Sequence, residues 1–166
     1  MNYYCYYNSA IGRLTIECSD LAITGLWLPN CKHCPSLPNT TELPNHPLLE
    51  SAIRWLDQYF AGDDPDPNTL PLEPVGSAFQ TKVWTALQRI PYGQVVSYRD
   101  IATVIGHPDA CQAVGAAVGR NPISIIIPCH RVIGANGSLT GYAGGLTAKA
   151  FLLSHESKSK QFKLAE

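Results

Sequence analysis

The stretch Ile125-Ile126-Ile127-Pro128-Cys129-His130-Arg131-Val132-Ile133 places a thiol and an imidazole side by side at the end of an apolar run. β-Branched residues favour extended structure, so the run predicts a strand or an extended segment buried in a core. Pro128 has a fixed φ and no backbone N–H, and regular strand pairing is therefore expected to end just before the sulfur. Because a free cysteine is usually buried and inert, the stretch alone leaves both a reactive and a structural Cys129 open.

Activation of Cys129 needs a base or a positive charge nearby, because only the thiolate is a strong nucleophile. His130 and Arg131 supply both in the next two positions. Adjacent residues of an extended segment point to opposite faces, so His130 is expected to act through a water molecule or a bend. A carboxylate on its other ring nitrogen would orient it. Among the four acids of residues 76–166, two occupy helix-cap positions and one is the last residue, which leaves Glu156 and a Cys129–His130–Glu156 relay.

The charge of the chain is divided unevenly. The 166 residues have a net charge of −1, and this length is sufficient for one domain or two small ones without disulfide support. Residues 1–75 contain three Lys/Arg against nine Asp/Glu, a balance of −6, whereas residues 76–166 contain nine against four, a balance of +5. The C-terminal part is therefore the half that could contact a polyanion.

Residues 1–7 have neither the basic region nor the apolar region of a signal peptide, and no apolar run approaches the length of a membrane span. We therefore expect no membrane association and an intracellular protein, cytoplasmic or, in a eukaryote, nuclear. Thiols are kept reduced there, so the cysteines are expected to be free thiols or metal ligands and not a disulfide framework. The six are Cys5, Cys18, Cys31, Cys34, Cys111 and Cys129.

The N-terminal part predicts a small sheet with one helix. Tyr-, Ile- and Thr-rich segments separated by a turn predict a hairpin, and the amphipathic pattern that follows a proline-rich connection predicts a helix. An acidic segment with four prolines then predicts an interdomain linker and a boundary near residue 75, giving domains 1–75 and 76–166. The predicted elements are a hairpin at 2–8 and 11–18, a strand at 21–28, an irregular connection at 29–47, a helix at 47–61 and the linker at 62–76.

The C-terminal part predicts helices around a tight turn. Ser77 is placed to cap a helix, and Ser97 followed by Asp100 resembles a capping box for the next. A turn at 106–108 and a helix from about 109 to 118 complete a helix-turn-helix pattern, for which plain helical packing is the alternative. A last helix is predicted from Leu146 to His155, with Leu146, Ala150, Phe151, Leu152 and Leu153 buried and a polar tail from 157 to 166.

The second helix of that pair, residues 110–119, has almost no large side chains. A helix that reads bases in the major groove needs long polar residues, which this one lacks. Its backbone could instead approach a narrow minor groove closely, or the helix could simply be buried against its neighbours. The segment by itself favours neither interpretation.

Several motifs, in this order and spacing, resemble those of the O6-alkylguanine-DNA alkyltransferases. The resemblance is strong from about Ala78 to Glu156 and weaker, though compatible, before it. It implies an α/β + α fold, in which a small ribonuclease-H-like sheet-and-helix domain precedes a winged helix-turn-helix-like α-helical domain. The motifs are Pro91-Tyr92-Gly93, Ser97-Tyr98, Ala113-Val114-Gly115, Arg120-Asn121-Pro122, Pro128-Cys129-His130-Arg131-Val132, Thr140-Gly141-Tyr142-Ala143-Gly144-Gly145 and Leu152-Leu153-Ser154-His155-Glu156.

The resemblance also implies a reaction and its residues. The family transfers an alkyl group from O6 of guanine, and from O4 of thymine, to its cysteine once, after minor-groove binding and flipping of the damaged base. No cofactor is implied, and the expected partner is double-stranded DNA containing O6-alkylguanine, bound by a monomer. The implied catalytic residues are Cys129, His130, Glu156, Asn121 and Tyr98; the pocket residues are Val132, Tyr142, Ala143 and Gly144; the DNA-binding residues are Gln112, Ala113, Gly115, Arg99, Gln80, Arg120 and Ala135.

One departure from the family pattern, and two kinds of variation within the family, leave alternatives open. Gln112 stands where relatives usually carry an arginine finger, so we expect a residue that fills the base stack without adding charge. Family members that bind lesions without repairing them lack the reactive cysteine, and Cys129 therefore disfavours a non-catalytic lesion sensor. Some relatives hold a structural zinc ion, for which Cys5, Cys31, His33 and Cys34 are the candidate ligands here, with a redox pair or unliganded thiols as the alternatives.

Overall fold

The computed structural model describes residues 1–32, 34–37 and 39–157. Its N-terminal half is a four-stranded sheet in the order β3-β2-β1-β4. The predicted hairpin and third strand are confirmed, with antiparallel pairing of β1 with β2 and of β2 with β3. The strands are β1 (Asn2–Ser9), β2 (Gly12–Cys18), β3 (Ile23–Trp27) and β4 (Thr40–Glu42).

The short strand β4 lies inside the connection that we expected to be irregular throughout. Thr40, Thr41 and Glu42 pair in parallel with Asn2, Tyr3 and Tyr4. Three residues carry too weak a local pattern to predict a strand, and β4 forms because the free edge of β1 offers its backbone groups as partners.

Helix α1 (Pro47–Phe60) covers one face of this sheet, as predicted. Its first turn is capped by the ring of His46, whose Nδ1 accepts a hydrogen bond from the Leu48 N–H at 3.1 Å. Five residues of its apolar stripe are buried: Leu49, Ala52, Trp55, Leu56 and Tyr59. The stripe brings the C-terminal end of α1 toward the other half of the molecule.

The acidic, proline-rich segment 62–76 is fixed against the sheet. The Ile23 N–H donates to the Pro71 carbonyl at 2.7 Å, and the Glu73 N–H donates to the Ile23 carbonyl at 2.8 Å. Leu70 is buried in the same core. Proline-rich composition therefore marks an irregular segment here, but one that extends the edge of β3 and is not a loose linker.

The C-terminal half contains the helix-turn-helix. Helices α2 (Ala78–Leu87), α3 (Tyr98–Val104) and α4 (Cys111–Gly119) pack against one another. Both predicted caps are present, with Ser77 and Gln80 forming one capping box and Ser97 and Asp100 the other. Helix α4 begins later than predicted, at Cys111, and Ala110 at its N-cap makes no side-chain cap bond.

Helix α4 is buried on one side and exposed on the other. The indole N–H of Trp84 on α2 donates to the Ala117 carbonyl at 2.8 Å, which fixes the two helices together. Val114, Ala117 and Val118 are buried, whereas Gln112, Ala113 and Ala116 are exposed. Helix α4 therefore packs against its neighbours on one face, as one of the two interpretations predicts, and its other face is exposed.

The isoleucine run is not the strand that we predicted. Ile125, Ile126 and Ile127 are buried, but they form turns, and Ile125 has a φ of 72°. The Ile126 N–H donates to the Ser124 carbonyl at 2.8 Å, and the Cys129 N–H donates to the Ile127 carbonyl at 2.8 Å, so two γ-turns follow each other. The β-branched side chains are buried in the core, as expected, whereas tertiary contacts determine the backbone conformation of the run.

The last helix, α5 (Leu146–Ser157), docks on the same core. Ala148, Lys149, Leu152, Leu153 and Glu156 are its buried residues. Phe151, predicted to be buried, is 37% exposed, and Leu146 and Ala150 are only partly covered, because the helix turns a different face to the core. Residues 158–166 of the predicted tail lie outside the described residues.

A two-stranded parallel sheet connects the helical part to the cysteine segment. Strand β5 (Val96–Ser97) pairs with β6 (Val132–Ile133), so that the residues before α3 lie beside the residues after the cysteine. Within the described residues, no helix is both long and apolar enough to cross a membrane.

Candidate active site

Asn121 organises the turn that precedes the cysteine. Its Nδ2 donates to the Ile127 carbonyl at 2.8 Å and to the Ile123 carbonyl at 3.4 Å, and its Oδ1 accepts from the Ile123 N–H at 3.0 Å. Asn121 is itself buried. These bonds close the ends of the turn around Ile125, whose positive φ is costly for a β-branched residue.

The same turn is attached to the N-terminal sheet. The Leu26 N–H donates to the Pro122 carbonyl at 2.9 Å, and the Ser124 N–H donates to the Leu26 carbonyl at 3.0 Å. Strand β3 and the segment before the cysteine therefore form a short parallel bridge between Leu26 and Ile123. The position of the cysteine depends on both halves of the chain.

Cys129 begins a single 3₁₀ turn, Cys129–Arg131, and is 4% exposed. Burial raises the pKa of its thiol, while the side chains of Asn121 and Ser124 and the charge of Lys149 act in the opposite direction. The free protein therefore holds Cys129 as a thiol, and a base is needed to generate the thiolate.

Glu156 is the centre of a buried hydrogen-bond network that includes the predicted base. Its Oε2 lies 2.6 Å from Nε2 of His130, and its Oε1 accepts from Nε of Arg131 at 2.8 Å. Nη2 of Arg131 reaches Oε2 at 3.1 Å, and the Gly93 N–H reaches Oε1 at 3.3 Å. The hydroxyl of Tyr59 donates to Oε2 at 2.7 Å. The histidine–glutamate contact expected from the sequence is present.

Burial works to raise the pKa of Glu156, but the charges and hydrogen bonds of His130 and Arg131 outweigh it and hold that pKa well below its usual range. Glu156 is therefore a carboxylate. We expected the charge of Arg131 to lie beside the thiol, but its guanidinium pairs with the Glu156 carboxylate instead. Its Nη1 donates to the Ile90 carbonyl at 2.7 Å.

His130 is fully buried, and burial lowers its pKa, with the charges of Arg131 and Lys149 adding to the decrease and Glu156 opposing it. The neutral ring donates its Nε2 proton to the Glu156 carboxylate, which leaves Nδ1 as the acceptor. Nδ1 has no hydrogen-bond partner within the part of the chain that the structure describes. It is the nitrogen available to receive a proton.

Lys149 is a site residue that the sequence reasoning missed. It is fully buried on α5, its Nζ donates to the Thr140 carbonyl at 2.9 Å, and burial lowers its pKa to about 8. A thiolate at Cys129 interacts favourably with the Lys149 ammonium and partly offsets the effect of burial on the lysine pKa. A lysine at a helical position between apolar residues signals burial weakly, because lysines usually lie on solvated faces.

Tyr98 and the loop 140–145 lie on the outer side of the site. The Tyr98 hydroxyl donates to the Thr140 carbonyl at 2.9 Å, the same acceptor that Lys149 uses. The Ala143 carbonyl accepts from the Lys32 N–H at 2.9 Å, so the N-terminal half also holds this loop. Tyr142 is partly buried, and its pKa is raised well above the usual range, first by burial and then by Cys129.

A cavity of about 640 Å³ opens between this loop and α4. Of the predicted pocket residues, Tyr142 and Ala143 line it and Gly144 lies in the same loop, while Val132 is fully buried in β6 behind them. The lining residues are Lys32, Tyr98, Gly115, Ala116, Gly119, Arg120, Thr140, Gly141, Tyr142, Ala143, Gly145 and Leu146. The small residues of α4 thus form one wall of the cavity.

The predicted DNA-binding residues fall into three groups. Gln112, Ala113, Gly115 and Arg120 lie on or directly after α4, and Arg99 is exposed near the start of α3. Ala135 is exposed in the turn that follows β6. Gln80 is half-buried, and its Oε1 accepts the Ser77 N–H at 3.0 Å, so its amide oxygen is engaged in the cap of α2.

Three of the four candidate zinc ligands, Cys5, Cys31 and Cys34, lie in the described part of the chain, and they form no metal-binding group there. Cys5 is buried in β1 as a free thiol, with its pKa raised to about 11 by burial, and Cys31 and Cys34 are joined as a disulfide. The bond corresponds to the redox pair that the Cys-x-x-Cys spacing left open, and it differs from the free thiols or metal ligands that we expected at these two positions. His33 lies outside the described residues, within which no group of three or more His, Cys, Asp or Glu side chains could hold a metal ion.

The fold and the site define a class of two-domain proteins, in which a mixed-sheet domain and a helix-turn-helix domain together hold a buried cysteine beside a histidine–glutamate pair. Residues 2–74 match the ribonuclease-like domain of 6-O-methylguanine DNA methyltransferase, and residues 78–158 match its DNA binding domain. The chain belongs to the 6-O-methylguanine DNA methyltransferase family.

Relatives share most of the chain. The methylated-DNA–protein-cysteine methyltransferase of Haemophilus influenzae is 42% identical over 154 residues, which cover 93% of this chain and 86% of that protein. The constitutive enzyme of that name from Bacillus subtilis is 46% identical over 159 residues, or 94% and 96% of the two chains. Among solved structures, Mycobacterium tuberculosis OGT in complex with DNA superposes with a TM-score of 0.87 at 42% identity, covering 94% of this chain and 93% of that one. The predicted family and fold class are confirmed.

Proposed function

We propose that this protein repairs DNA by transferring the alkyl group of O6-alkylguanine, and of O4-alkylthymine, directly to Cys129. The observation that carries the proposal is the buried Cys129, which directly precedes the His130–Glu156 pair and interacts with Tyr142, a residue that lines the cavity walled by the small residues of α4. The family relatives named methylated-DNA–protein-cysteine methyltransferase support the same assignment.

Binding uses the exposed side of α4. Ala113 and Ala116 present little bulk, so the helix backbone can approach the minor groove closely, with Arg99 and Arg120 placed nearby for phosphates. The damaged guanine leaves the duplex and enters the cavity beside Tyr98 and Tyr142, at a cost of a few kcal/mol that is smaller for a weakened lesion pair.

The thiol of Cys129 loses its proton through a water molecule to Nδ1 of His130. Glu156 stabilises the imidazolium that forms, because it is already ionised and hydrogen-bonded to Nε2. Lys149 stabilises the thiolate from the other side. The base therefore acts on a thiol whose own pKa burial has raised.

The thiolate sulfur then attacks the alkyl carbon. A sulfur–carbon bond forms as the carbon–O6 bond breaks, and the electron pair stays on guanine. Tyr98 exchanges the Thr140 carbonyl for guanine N3 and stabilises the leaving guanine anion there by donating a hydrogen bond, while Lys149 retains Thr140 and keeps the loop in place. The thioether is not hydrolysed, so each molecule acts once. The proposed reaction uses a monomer and needs no cofactor.

The test is to incubate the protein with duplex DNA containing O6-methylguanine and to weigh it. We expect one added methyl group per molecule, located on the Cys129 peptide and absent from Cys129→Ala. Binding of the lesion with no mass gain would contradict transfer and would identify a lesion sensor. Cys111→Ala is the matched control, because Cys111 is the more exposed free thiol on α4.

A further inference from the structure

Tyr59 connects the N-terminal domain to the base of the reaction. It lies on α1, is 1% exposed, and donates its hydroxyl proton to Oε2 of Glu156 at 2.7 Å across 97 positions of sequence. The same oxygen lies 2.6 Å from Nε2 of His130 and 3.1 Å from Nη2 of Arg131. One carboxylate oxygen therefore receives donors from both domains.

The side chain of Tyr59 is held in place from several directions. Its ring is stacked on Trp55 at 5.7 Å between centroids and meets Phe60 and Tyr92 edge to face. Its carbonyl oxygen lies 2.6 Å from Nε2 of His155, the residue before Glu156. The last turn of α5 is thus bound to the end of α1 through two consecutive residues.

We propose that Tyr59 is a positioning residue for the reaction of Cys129, acting through Glu156 to fix the orientation and basicity of His130. The hydrogen bond from the Tyr59 hydroxyl to Oε2 holds the Glu156 carboxylate in one orientation toward Nε2 of His130. It also makes Oε2 a weaker acceptor for that ring nitrogen. The proposal rests on the proposed function, and it gives the N-terminal domain a part in thiol activation.

The charged and titratable groups around Glu156 determine how loss of the Tyr59 hydroxyl affects His130. Glu156 faces His130 and Arg131 from the 3₁₀ turn and Tyr59 from α1, with Tyr92 beside it. His130 also senses Lys149 on α5. Arg131 and Lys149 are unchanged in Tyr59→Phe, so loss of the hydroxyl acts on Oε2 of Glu156 and makes it a stronger acceptor for Nε2 of His130. The imidazolium is then favoured.

The experiment compares Tyr59→Phe with Tyr7→Phe. Tyr7 makes the matched bond, from its hydroxyl to Oδ1 of Asp57 on α1 at 2.7 Å, away from the site. For both variants and the parent protein, the rate of methyl transfer from O6-methylguanine DNA and the rate of Cys129 alkylation by iodoacetamide are measured against pH. The alkylation is followed by the mass of the Cys129 peptide.

For Tyr59→Phe we expect both rates to fall about five- to tenfold near pH 7, the size expected for the loss of one typical hydrogen bond, and the acidic limb of each profile to move to higher pH. Tyr7→Phe should leave both profiles in place. In a Glu156→Gln background, Tyr59→Phe should add no further loss, because the acceptor through which it acts has changed.

Three results would overturn the inference. They are a Tyr59→Phe profile equal to that of Tyr7→Phe, a lower rate with an unmoved acidic limb, and full additivity with Glu156→Gln. If the parent protein takes up no methyl group from DNA, the proposed function fails, and the iodoacetamide profiles still decide the role of Tyr59. Thermal unfolding of each variant identifies any that does not fold, in which case the comparison of Tyr59→Leu with Tyr7→Leu, neither of which adds a titratable group, replaces it.

Discussion

Nε2 of His130 and Oε2 of Glu156 lie 2.6 Å apart, with both side chains almost completely removed from solvent. A contact of this length between a neutral ring and a carboxylate fixes the tautomer of the histidine and leaves Nδ1 free to take a proton. The pair therefore combines a structural and a chemical role, and each role predicts a separate measurable loss.

Glu156→Gln should weaken both roles at once. We expect the rate of alkyl transfer to fall about 100-fold, within the range typical of general-base catalysis. The free energy of unfolding should fall by about 3–5 kcal/mol, because Arg131 loses its buried counter-ion. Single-turnover transfer and urea unfolding measure the two losses. Glu50→Gln, an exposed acid on α1, should change neither quantity, and an unchanged rate in Glu156→Gln would contradict the proposed base.

The stability that Glu156 contributes should depend on pH. Because its folded pKa lies below the unfolded value, the contribution is complete above the unfolded pKa of about 4.3 and is lost as pH falls toward the folded pKa. The difference in unfolding free energy between the parent protein and Glu156→Gln should therefore be constant from pH 5 to 7 and should narrow by pH 3. Urea titrations at these pH values test this, and a gap of constant size would count against an ionised Glu156.

Asn121 should tolerate neither alanine nor aspartate. Alanine leaves the Ile127 carbonyl and the Ile123 N–H without their side-chain partners, at a cost of about 1–3 kcal/mol. Aspartate has the same shape but places an oxygen against the carbonyls, so its cost should be at least as large. The control is Asn136→Ala, which removes a similar local bond from an exposed turn. Equal stability of the two asparagine-to-alanine variants would contradict the role of Asn121.

Lys149→Met should make the protein more stable and less reactive. Burial lowers the pKa of Lys149 from 10.5 to about 8, so near pH 7 the folded state carries a charge that it disfavours. The unfolded chain binds more protons between pH 8 and 10.5, and the parent protein should therefore gain stability as pH rises through that range.

We expect Lys149→Met to raise the free energy of unfolding by about 1–3 kcal/mol at pH 7 and by much less at pH 10, while it slows Cys129 alkylation by removing the charge that favours the thiolate. Unfolding at the two pH values and iodoacetamide kinetics measure these effects. Lys82→Met, at an exposed position of α2, is the control. A variant that is destabilised equally at both pH values would show that the hydrogen bond to Thr140 outweighs burial of the charge.

Gln112→Arg should strengthen DNA binding. Gln112 is exposed at the start of α4, where a guanidinium would add one positive charge beside the groove. We expect a several-fold gain in affinity for lesion-containing duplex DNA at low salt and a faster transfer at limiting DNA. Gln58→Arg adds the same charge to α1, distant from the helix-turn-helix, and should have little effect. No gain in either affinity or rate would contradict the idea that Gln112 occupies the finger position.

Local patterns were sufficient where the structure is local. The N-cap of α2, the capping box of α3 and the apolar stripe of α1 each depend on residues within one or two turns, and the sequence predicts each of them. The Ile125–Ile127 run was read as a strand because β-branched residues favour one, yet the bonds of Asn121 and the bridge to Leu26 impose turns on it. Propensity is a preference of the isolated segment, and long-range contacts overrode it.

The same distinction separates the parts of the site. The adjacency of Cys129 and His130 is covalent, and Glu156 followed from elimination among few acids, so the relay could be stated from the sequence alone. Tyr59 and Lys149 carried no signal that distinguished them from core or surface residues, and the spacing of Cys31 and Cys34 left a redox pair, a metal site and free thiols open. Their roles arise only when α1 and α5 are packed together and the N-terminal loop is laid against residues 140–145, because burial and hydrogen bonding between distant segments are properties of the folded chain.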